Sequence, residues 1–517
     1  MTEPLEKRTE VQEVLSAAEE RFERGRKTIG LFLGPLAGLV IYLLPMPNLT
    51  PAAHLLSAIL TWIVIWWICE PVPIPVSALL GTSLCVVTGV ANAKVAFAPF
   101  ADPIIFLFLG SFLLAEAMAH HGLDKRFAYA IMSFKFVGNS TARILLAYGF
   151  ICTFLSMWIS NTATTAMMFP IGLGIVSAMG GILSEQTGKE IAPTRLRFGT
   201  AMMLMAAYAA STGGIGTPVG SPPNLIGIAM IENYCKVRIP FFQWMLICVP
   251  LLILLFGLLF FLLYFLHKPE LATLRGGQEY VQRERKRLGP WTRGEKNTLL
   301  AFCLTVALWI APGILALLYG SEATISKEYA KYLPEGVAAL IGAGLLFLLP
   351  VNWRERRFTL TWKEAVKIDW GTLLLFGGGI TLGNLMFSTK LAEVIGKGLL
   401  ELSGATSLWG ITFGAILIAI LVSETSSNTA SANMVVPVMI ALAMAAKVNP
   451  IPPAIGATLG ASWGFMLPVS TPPNAIVYGS GMVPITKMIR AGVFYDVLGS
   501  LVIWIGLRII LPILGLA

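Results

Sequence analysis

The fold is decided by a stretch near the carboxyl end of the chain, Ser462-Trp463-Gly464-Phe465-Met466-Leu467-Pro468-Val469-Ser470-Thr471-Pro472-Pro473-Asn474. It interrupts a long apolar segment, 451–483, because consecutive prolines lack the N–H groups that a continuous helix needs. An earlier apolar segment, 198–231, is interrupted by a stretch that aligns with it without a gap and also ends in Pro-Pro-Asn. A polar break repeated in two apolar segments indicates paired discontinuous membrane helices, which are typical of transporters.

Two further apolar segments carry a polar cluster in their middle. Segment 142–179 contains Ser160-Asn161-Thr162, and segment 408–446 contains Ser427-Asn428-Thr429. Unsatisfied polar groups in hydrocarbon cost several kcal/mol, so both clusters need a reason. One cluster alone could simply cap helix ends, since Ser, Thr and Asn are good N-caps. Two copies at equivalent positions of a repeat favour a functional site at the tips of two re-entrant helical hairpins.

The composition sets the protein class. Of 517 residues, 56% are hydrophobic and only 13% are charged, whereas a soluble domain averages roughly 25% charged residues. We therefore predict an all-α polytopic membrane protein with about eleven transmembrane helices plus the two hairpins. The sequence shows no nucleotide-binding motif, metal-ligand spacing or nucleophile–base pair, so we expect neither an enzyme nor an organic cofactor. Polarity concentrated at four points also argues against a channel.

The repeat and the charge distribution give the domain organisation. Residues 1–27 form a cytoplasmic amphipathic arm, 28–266 and 297–517 form two inverted repeats, and 267–296 form a basic loop. The net charge of +9 reflects basic loops that obey the positive-inside rule, not affinity for nucleic acid. A contact between the basic loop and anionic lipid is the alternative. These charges place the amino terminus in the cytoplasm and the carboxyl terminus outside.

The polar clusters suit an anion and a small cation. A hairpin tip inside the membrane leaves free N–H groups at the start of its second arm, where the helix dipole favours negative charge. Side-chain donors are added by Asn161, Thr162, Asn428 and Thr429. Carbonyl oxygens released where helices break suit Na⁺. Gly220-Ser221 and Ser470-Thr471 would lie in these unwound stretches. Glu424, beside the second cluster, is either a proton or cation partner or bonded to neighbouring backbone.

At these motifs the chain resembles the divalent anion/sodium symporter family. The resemblance implies a homodimeric elevator-type transporter, with scaffold and transport domains, that binds about two Na⁺ ions. It implies one Na⁺ near Ser156, Ser160, Asn161 and Gly220, and a second near Ser423, Ser426, Asn428 and Ser470. Substrate carboxylates would meet Asn161, Thr162, Ser221, Asn428, Thr429, Thr471 and Pro472. Trp463 stands where the resemblance leads us to expect a small residue.

The leading functional hypothesis is therefore import of C4-dicarboxylates such as succinate, malate and fumarate by Na⁺-coupled symport. The expected partners are the carboxylate anion, Na⁺, the lipid bilayer and a second copy of the chain, in a cell (inner) membrane. Two alternatives remain open on the same scaffold. One is dicarboxylate exchange without Na⁺ coupling, and the other is transport of citrate or sulfate.

Overall fold

The computed structural model describes residues 17–274, 277–320 and 323–517, which fold almost entirely into helices. Residues 1–16 of the predicted arm lie outside the described residues. The remainder of the arm belongs to helix α1 (Ala17–Leu43), which runs past residue 27 without a break. The change from polar to apolar sequence at residue 27 therefore does not end the helix, because backbone hydrogen bonding is indifferent to that change.

The first half of the chain, including its broken segment, forms eleven α-helices in the described region. They are α1, α2 (Pro51–Cys69), α3 (Ile74–Val87), α4 (Ala93–Phe97), α5 (Pro103–His121), α6 (Leu123–Met132), α7 (Thr141–Ser156), α8 (Asn161–Thr187), α9 (Arg197–Gly213), α10 (Pro222–Met230) and α11 (Phe241–Leu266). Short 3-10 turns occupy Ala98–Ala101, Pro193–Arg195 and Gly214–Gly216, and a π-helical turn occupies Ile231–Cys235.

The rest of the described chain is also almost entirely helical. Its elements are α12 (Gly277–Arg287), α13 (Arg293–Tyr319), α14 (Thr324–Tyr332), α15 (Glu335–Leu348), α16 (Trp362–Ala365), α17 (Trp370–Ser388), α18 (Leu391–Ser403), α19 (Leu408–Thr425), α20 (Asn428–Ala445), α21 (Ile451–Ala461), α22 (Pro472–Tyr478) and α23 (Ile485–Ile513). Two short antiparallel strands, β1 (Pro350–Asn352) and β2 (Arg357–Phe358), follow α15. Helix α12 lies within the basic loop 267–296.

The described residues contain ten helices long and apolar enough to cross a membrane, or eleven if α14 and α15, bent by 56°, count as one span. The architecture is thus the all-α polytopic membrane fold that the composition predicts. The ten include α8, α19 and α20, which form arms of the two hairpins. Length and composition do not distinguish a hairpin arm from a full span, so the re-entrant course of the hairpins stays a prediction.

Two of the basic regions lie at the same end of the molecule. His121, at the end of α5, bonds to the Thr359 carbonyl oxygen 2.7 Å away, beside strand β2. The Arg126 side chain on α6 donates to the Glu295 carboxylate at 2.6 Å, where the basic loop ends. These contacts bring the basic loop and the Arg354–Arg357 turn close together, as expected if both face the same aqueous compartment.

The two broken segments lie in the interior. Every residue of α9 from Phe198 onward is buried, and so is every residue of α21. The hairpin α7–α8 packs on α9, and the hairpin α19–α20 packs on α21. Each polar hairpin tip is thereby held against the unwound end of a buried helix, and this places the candidate site.

Candidate functional site

The tip of the first hairpin is built by short-range hydrogen bonds. Ser160 is the N-cap of α8, and its hydroxyl accepts the Ala163 N–H at 3.2 Å. The Ser156 hydroxyl, at the end of α7, donates to Asn161 Oδ1 at 2.6 Å. These bonds fix the Asn161 amide across the turn and satisfy one of the free donors at the start of α8.

The tip of the second hairpin has the same construction. Ser427 caps α20 by accepting the Ala430 N–H at 3.2 Å. The Ser423 hydroxyl lies 2.8 Å from Asn428 Oδ1. The serine–asparagine pair spans five residues in both tips, so the sequence repeat at the tips is also a repeat of hydrogen bonds.

The unwound stretches are braced by a matching asparagine in each half. Asn224 Nδ2 donates to the carbonyl oxygens of Gly214 and Thr217, both at 2.8 Å. Asn474 Nδ2 makes the equivalent bonds to Gly464 at 3.3 Å and Leu467 at 3.0 Å. Each amide therefore closes the loop between the two halves of a broken helix. The sequence did carry a signal for this role, because both asparagines follow the Pro-Pro pair.

Glu424 is bonded to the backbone of the second unwound stretch. Its carboxylate accepts the N–H groups of Met466 at 2.8 Å and Leu467 at 3.3 Å. It also accepts the Ser470 hydroxyl at 2.5 Å. Of the two interpretations open from sequence, the structure thus shows the bond to backbone, although the partners are 42 residues or more along the chain and not in the hairpin itself. A nearly buried carboxylate needs such donors.

The two half-sites are joined by buried contacts of serine hydroxyls. The Ser423 hydroxyl lies 2.8 Å from the Ala461 carbonyl oxygen, at the end of α21. The next residue, Ser462, has its hydroxyl 3.4 Å from that of Ser221, the residue before α10. Ser462 is a central residue that the sequence reasoning did not select. Helix α10 also packs on α20, and α22 packs on α8, so each broken helix contacts the other half's hairpin.

Backbone oxygens converge in the first half-site. A Cβ placed on Gly220 would lie 2.5 Å from the Gly214 carbonyl oxygen, 2.9 Å from that of Ser156 and 3.0 Å from that of Met157. The Thr217 hydroxyl donates to the Met157 carbonyl. Three neutral oxygens around one glycine, with Asn161 Oδ1 nearby, are the donor type that a dehydrated Na⁺ prefers.

The second half-site offers a different set of oxygens. A Cβ on Gly464 would lie 3.2 Å from the Ser423 hydroxyl and 3.5 Å from the Ser423 carbonyl oxygen. Ser426 donates its hydroxyl proton to the Val422 carbonyl at 2.8 Å within its own helix. The predicted ligand Ser470 donates to Glu424, as described above. A hydroxyl that donates its proton keeps its oxygen lone pairs, so these bonds leave each serine able to hold a cation.

The predicted anion-binding residues sit at helix starts with graded exposure. Thr162 is exposed, Asn161, Asn428 and Thr429 are partly exposed, and Ser221 and Thr471 are buried. Pro472 is exposed at the first position of α22. The four motif stretches contain no Arg or Lys. An anion here would be held by helix N-termini, amides and hydroxyls, an arrangement that binds weakly enough to permit release.

Trp463 is accommodated by a glycine on a neighbouring helix. Its ring is fully buried, lies 5.0 Å from the Phe465 ring and 5.1 Å from the Tyr495 ring between centroids, and covers Gly499 of α23. A Cβ on Gly499 would lie 2.5 Å from the indole nitrogen. The large residue is therefore compatible with the break because space is made on α23.

The chain is similar to known proteins over nearly its whole length. The model of the sodium:sulfate symporter transmembrane region matches residues 26–515. The sodium-dependent dicarboxylate transporter SdcS of Staphylococcus saprophyticus is 36% identical over 492 residues, covering 94% of this chain and 92% of that protein. SdcS of Staphylococcus aureus strain USA300 is 32% identical over 502 residues, covering 96% and 94%.

Solved structures share the fold at low sequence identity. The YdaH transporter of Alcanivorax borkumensis has a TM-score of 0.54 at 12% identity, covering 96% of this chain and 98% of that one. MtrF of Neisseria gonorrhoeae has a TM-score of 0.52 at 14% identity, covering 94% and 97%. These two similarities concern the fold alone.

Proposed function

The chain belongs to the family of the sodium:sulfate symporter transmembrane region, whose members are membrane transporters and not enzymes, and we propose that it imports C4-dicarboxylates such as succinate, malate and fumarate by Na⁺-coupled symport. The observation that carries this proposal is the duplicated serine–asparagine bond at the hairpin tips, each beside an unwound helix. Two oxygen-rich half-sites, whose predicted ligand residues are uncharged, suit two cations and a dianion between them. The relatives named sodium-dependent dicarboxylate transporters support the choice of cargo.

The first Na⁺ would be held by backbone and amide oxygens around Gly220. Its ligands are Asn161 Oδ1 and the carbonyls near Ser156, with Ser160 at the cap. The second Na⁺ would be held by the equivalent oxygens near Asn428. There Ser423, Ser426 and Ser470 add hydroxyls that the first half-site provides only in part. Uncharged oxygens hold Na⁺ without a full opposite charge. Water can therefore replace them when the site opens, and the ion is released as a transport cycle requires.

The dicarboxylate would bridge the two tips. One carboxylate would accept from Asn161, Thr162 and Ser221, and the other from Asn428, Thr429 and Thr471, with Pro472 beside it. Each helix N-terminus is expected to stabilise a carboxylate by about 0.3–2 kcal/mol. Two Na⁺ ions beside the tips would strengthen the attraction for the dianion, so binding of ion and substrate would be coupled.

The direct test is uptake of labelled succinate by the purified chain in proteoliposomes. An inward Na⁺ gradient should drive uptake above the level seen with equimolar K⁺. Absence of uptake under every condition would overturn the dicarboxylate assignment. Uptake only into vesicles preloaded with succinate would show that the chain exchanges dicarboxylates and does not couple them to Na⁺. Stronger inhibition by sulfate or citrate than by malate would show that one of those anions, and not a C4-dicarboxylate, is the substrate.

The mechanism we propose is an elevator, and one contact supports it. Arg26 Nη1, near the amino-terminal end of α1, lies 3.1 Å from the Ile68 carbonyl and 3.4 Å from the Thr425 carbonyl at the second hairpin tip. The amino-terminal end of α1 is cytoplasmic in our proposed topology. In an inward-facing state the hairpins and broken helices would be displaced together toward the cytoplasm as one transport domain. The second hairpin tip would then lie beside this end of α1, as its contact with Arg26 has it.

Cysteine cross-linking tests this movement. In a background without the six native cysteines, Arg26→Cys with Thr425→Cys should be joined by a thiol-reactive cross-linker with a flexible, reducible spacer, because the contact runs along the whole arginine side chain. The cross-link should abolish uptake, and reduction of the spacer should restore it. Asn297→Cys with Thr359→Cys is the matched control, since these contacting side chains both lie outside the proposed transport domain. Full uptake by the cross-linked Arg26/Thr425 pair would contradict the elevator.

We further propose a homodimer in the cell membrane, with the amino terminus inside and the carboxyl terminus outside. The clustering of the basic loop and the Arg354–Arg357 turn at one end supports this orientation. Labelling of terminal tags from each side of intact cells tests the orientation. The mass of the purified chain after cross-linking tests the dimer.

A further inference from the structure

A basic cavity lies away from the candidate transport site, where α9 and α23 begin and α11 ends. It measures about 130 Å³ and is lined by Arg197, Leu266, His267, Lys487 and Arg490. Arg197 is partly neutralised by Glu270, whose carboxylate lies 3.4 Å from the Arg197 Nε. Within the described part of the chain, no carboxylate forms an ion pair with Lys487 or Arg490. With Glu270 set against Arg197, the charges of Lys487 and Arg490 leave the cavity with net positive charge among the described residues.

One wall of the cavity is a buried histidine without a partner. His267 is only 5% exposed, and its Nε2 atom forms no hydrogen bond within the described chain. Burial, followed by the charges of Lys487 and Arg490, lowers the pKa of His267 to about 4, so the ring is neutral at neutral pH. A buried polar atom left unpaired is costly, and an oxyanion in the cavity would give it a partner.

Exposed apolar residues lie on two of the helices that line the cavity. From Arg490, the exposed residues Val493 and Val497 follow at helical spacing along α23. On α11, Phe261 and Phe265 are 57% and 74% exposed just before His267. Such surfaces on spanning helices face lipid tails. A soluble anion would use the cations alone, whereas a phospholipid would use the cations and the apolar stripe together.

We infer that this cavity is a binding site for the phosphodiester headgroup of an anionic phospholipid, whose acyl chains lie along α11 and α23. The occupant is a lipid of the leaflet on the side of the basic loop, because the basic loop follows His267 directly. Phosphate is bound by Arg490 and Lys487, with His267 contributing a neutral donor from within the cavity. Lipid binding is measured without any uptake of substrate, so failure of this inference and failure of the proposed function are distinguishable.

Native mass spectrometry of the full chain in detergent tests the site. The protein is titrated with phosphatidylglycerol, phosphatidylcholine or inorganic phosphate. We expect one phosphatidylglycerol to bind more tightly than the others. Lys487→Gln with Arg490→Gln should weaken it roughly thirty-fold, and Lys487→Gln alone roughly fivefold. Arg508→Gln, the same change at the far end of α23, is the matched control and should leave this affinity unchanged.

Several outcomes would overturn the proposal. Equal affinity for phosphatidylglycerol and phosphatidylcholine would remove the role of net charge. Equal weakening by Arg508→Gln would assign the binding to general surface charge. Binding of inorganic phosphate as tightly as the lipid would assign the cavity to a soluble anion. Both single and double variants are compared, so misfolding of one, seen by size-exclusion chromatography, leaves the other as the test.

Discussion

The two half-sites share one framework and differ in what stabilises it. In both, a serine bonds to an asparagine five residues on, and a second asparagine closes the unwound stretch. The first half-site then relies on glycine: Gly220 lets three carbonyl oxygens approach the backbone closely. The second has Ser470 at the equivalent position and a buried carboxylate, Glu424, that binds it.

The two half-sites thus share the hydrogen bonds at the tips and differ in the residues that support them. Met157 occupies the position equivalent to Glu424, so the first half-site contains no carboxylate there. Close packing of backbone tolerates almost no added volume. The hydrogen bonds around a buried carboxylate depend less on added side-chain volume and more on the charge of the carboxylate and on each group that donates to it. The two halves should therefore respond differently to the same kind of substitution.

The largest expected effect tests what the halves share. Asn161→Ala and Asn428→Ala should each reduce Na⁺-driven succinate uptake to background, because each removes an amide that the proposal gives to both ion and substrate. Asn92→Ala, which removes an N-cap on α4 outside the site, should transport normally. Near-normal uptake by both tip variants would show that the tips are not the site.

The next prediction separates the halves by volume. Gly220→Ala should destabilise the protein by about 1–3 kcal/mol and abolish uptake, since its methyl group meets three backbone oxygens. Gly464→Ala should have a clearly smaller effect, because the nearest atom is a serine hydroxyl 3.2 Å away that can rotate. Thermal unfolding and uptake are measured for both. Equal losses would mean that the two unwound stretches are equally tight.

A third prediction separates the halves by charge. Glu424→Gln should raise the Na⁺ concentration for half-maximal uptake, because an amide cannot accept from both Met466 and Leu467 and from Ser470 as a carboxylate does. At about 1.5–3 kcal/mol for a bond to a charged group, roughly tenfold or more is expected. Glu393→Gln, an exposed change on α18, is the control. An unchanged Na⁺ dependence would leave Glu424 without a role in ion binding.

The smallest effect concerns the residues that precede the broken-helix prolines. Thr471 accepts the Asn474 N–H at 3.3 Å, whereas Ser221 makes no such cap and reaches Ser462 instead. Thr471→Ala should therefore cost about 1 kcal/mol of stability. Ser221→Ala should cost less stability, and both variants should weaken succinate affinity because both hydroxyls are proposed donors to the substrate. The unfolding midpoint and the KM for succinate are measured for both variants. Equal changes in both quantities would show that Thr471 and Ser221 do not differ in their roles.

Local sequence was sufficient for the parts of the site that form within one turn of helix. Ser160 and Ser427 cap the helices that begin at the next residue, and Pro222 and Pro472 occupy the first helical position after each break. Capping and proline geometry act over a few residues, so the pattern reveals them. The apolar runs likewise fixed the class of fold, because only helices satisfy the backbone in lipid.

Tertiary packing decided the rest. The sequence leaves two interpretations of Glu424 because the groups that donate to it lie 42 to 46 residues further along the chain. Ser462 belongs to the site because its hydroxyl contacts that of Ser221, 241 residues away. The contact of Arg26 with the second tip spans 399 residues. Such contacts depend on how buried helices pack, which no local pattern encodes. The sequence thus determined two matched polar tips in a membrane bundle, and only the tertiary structure decided which oxygens meet around them.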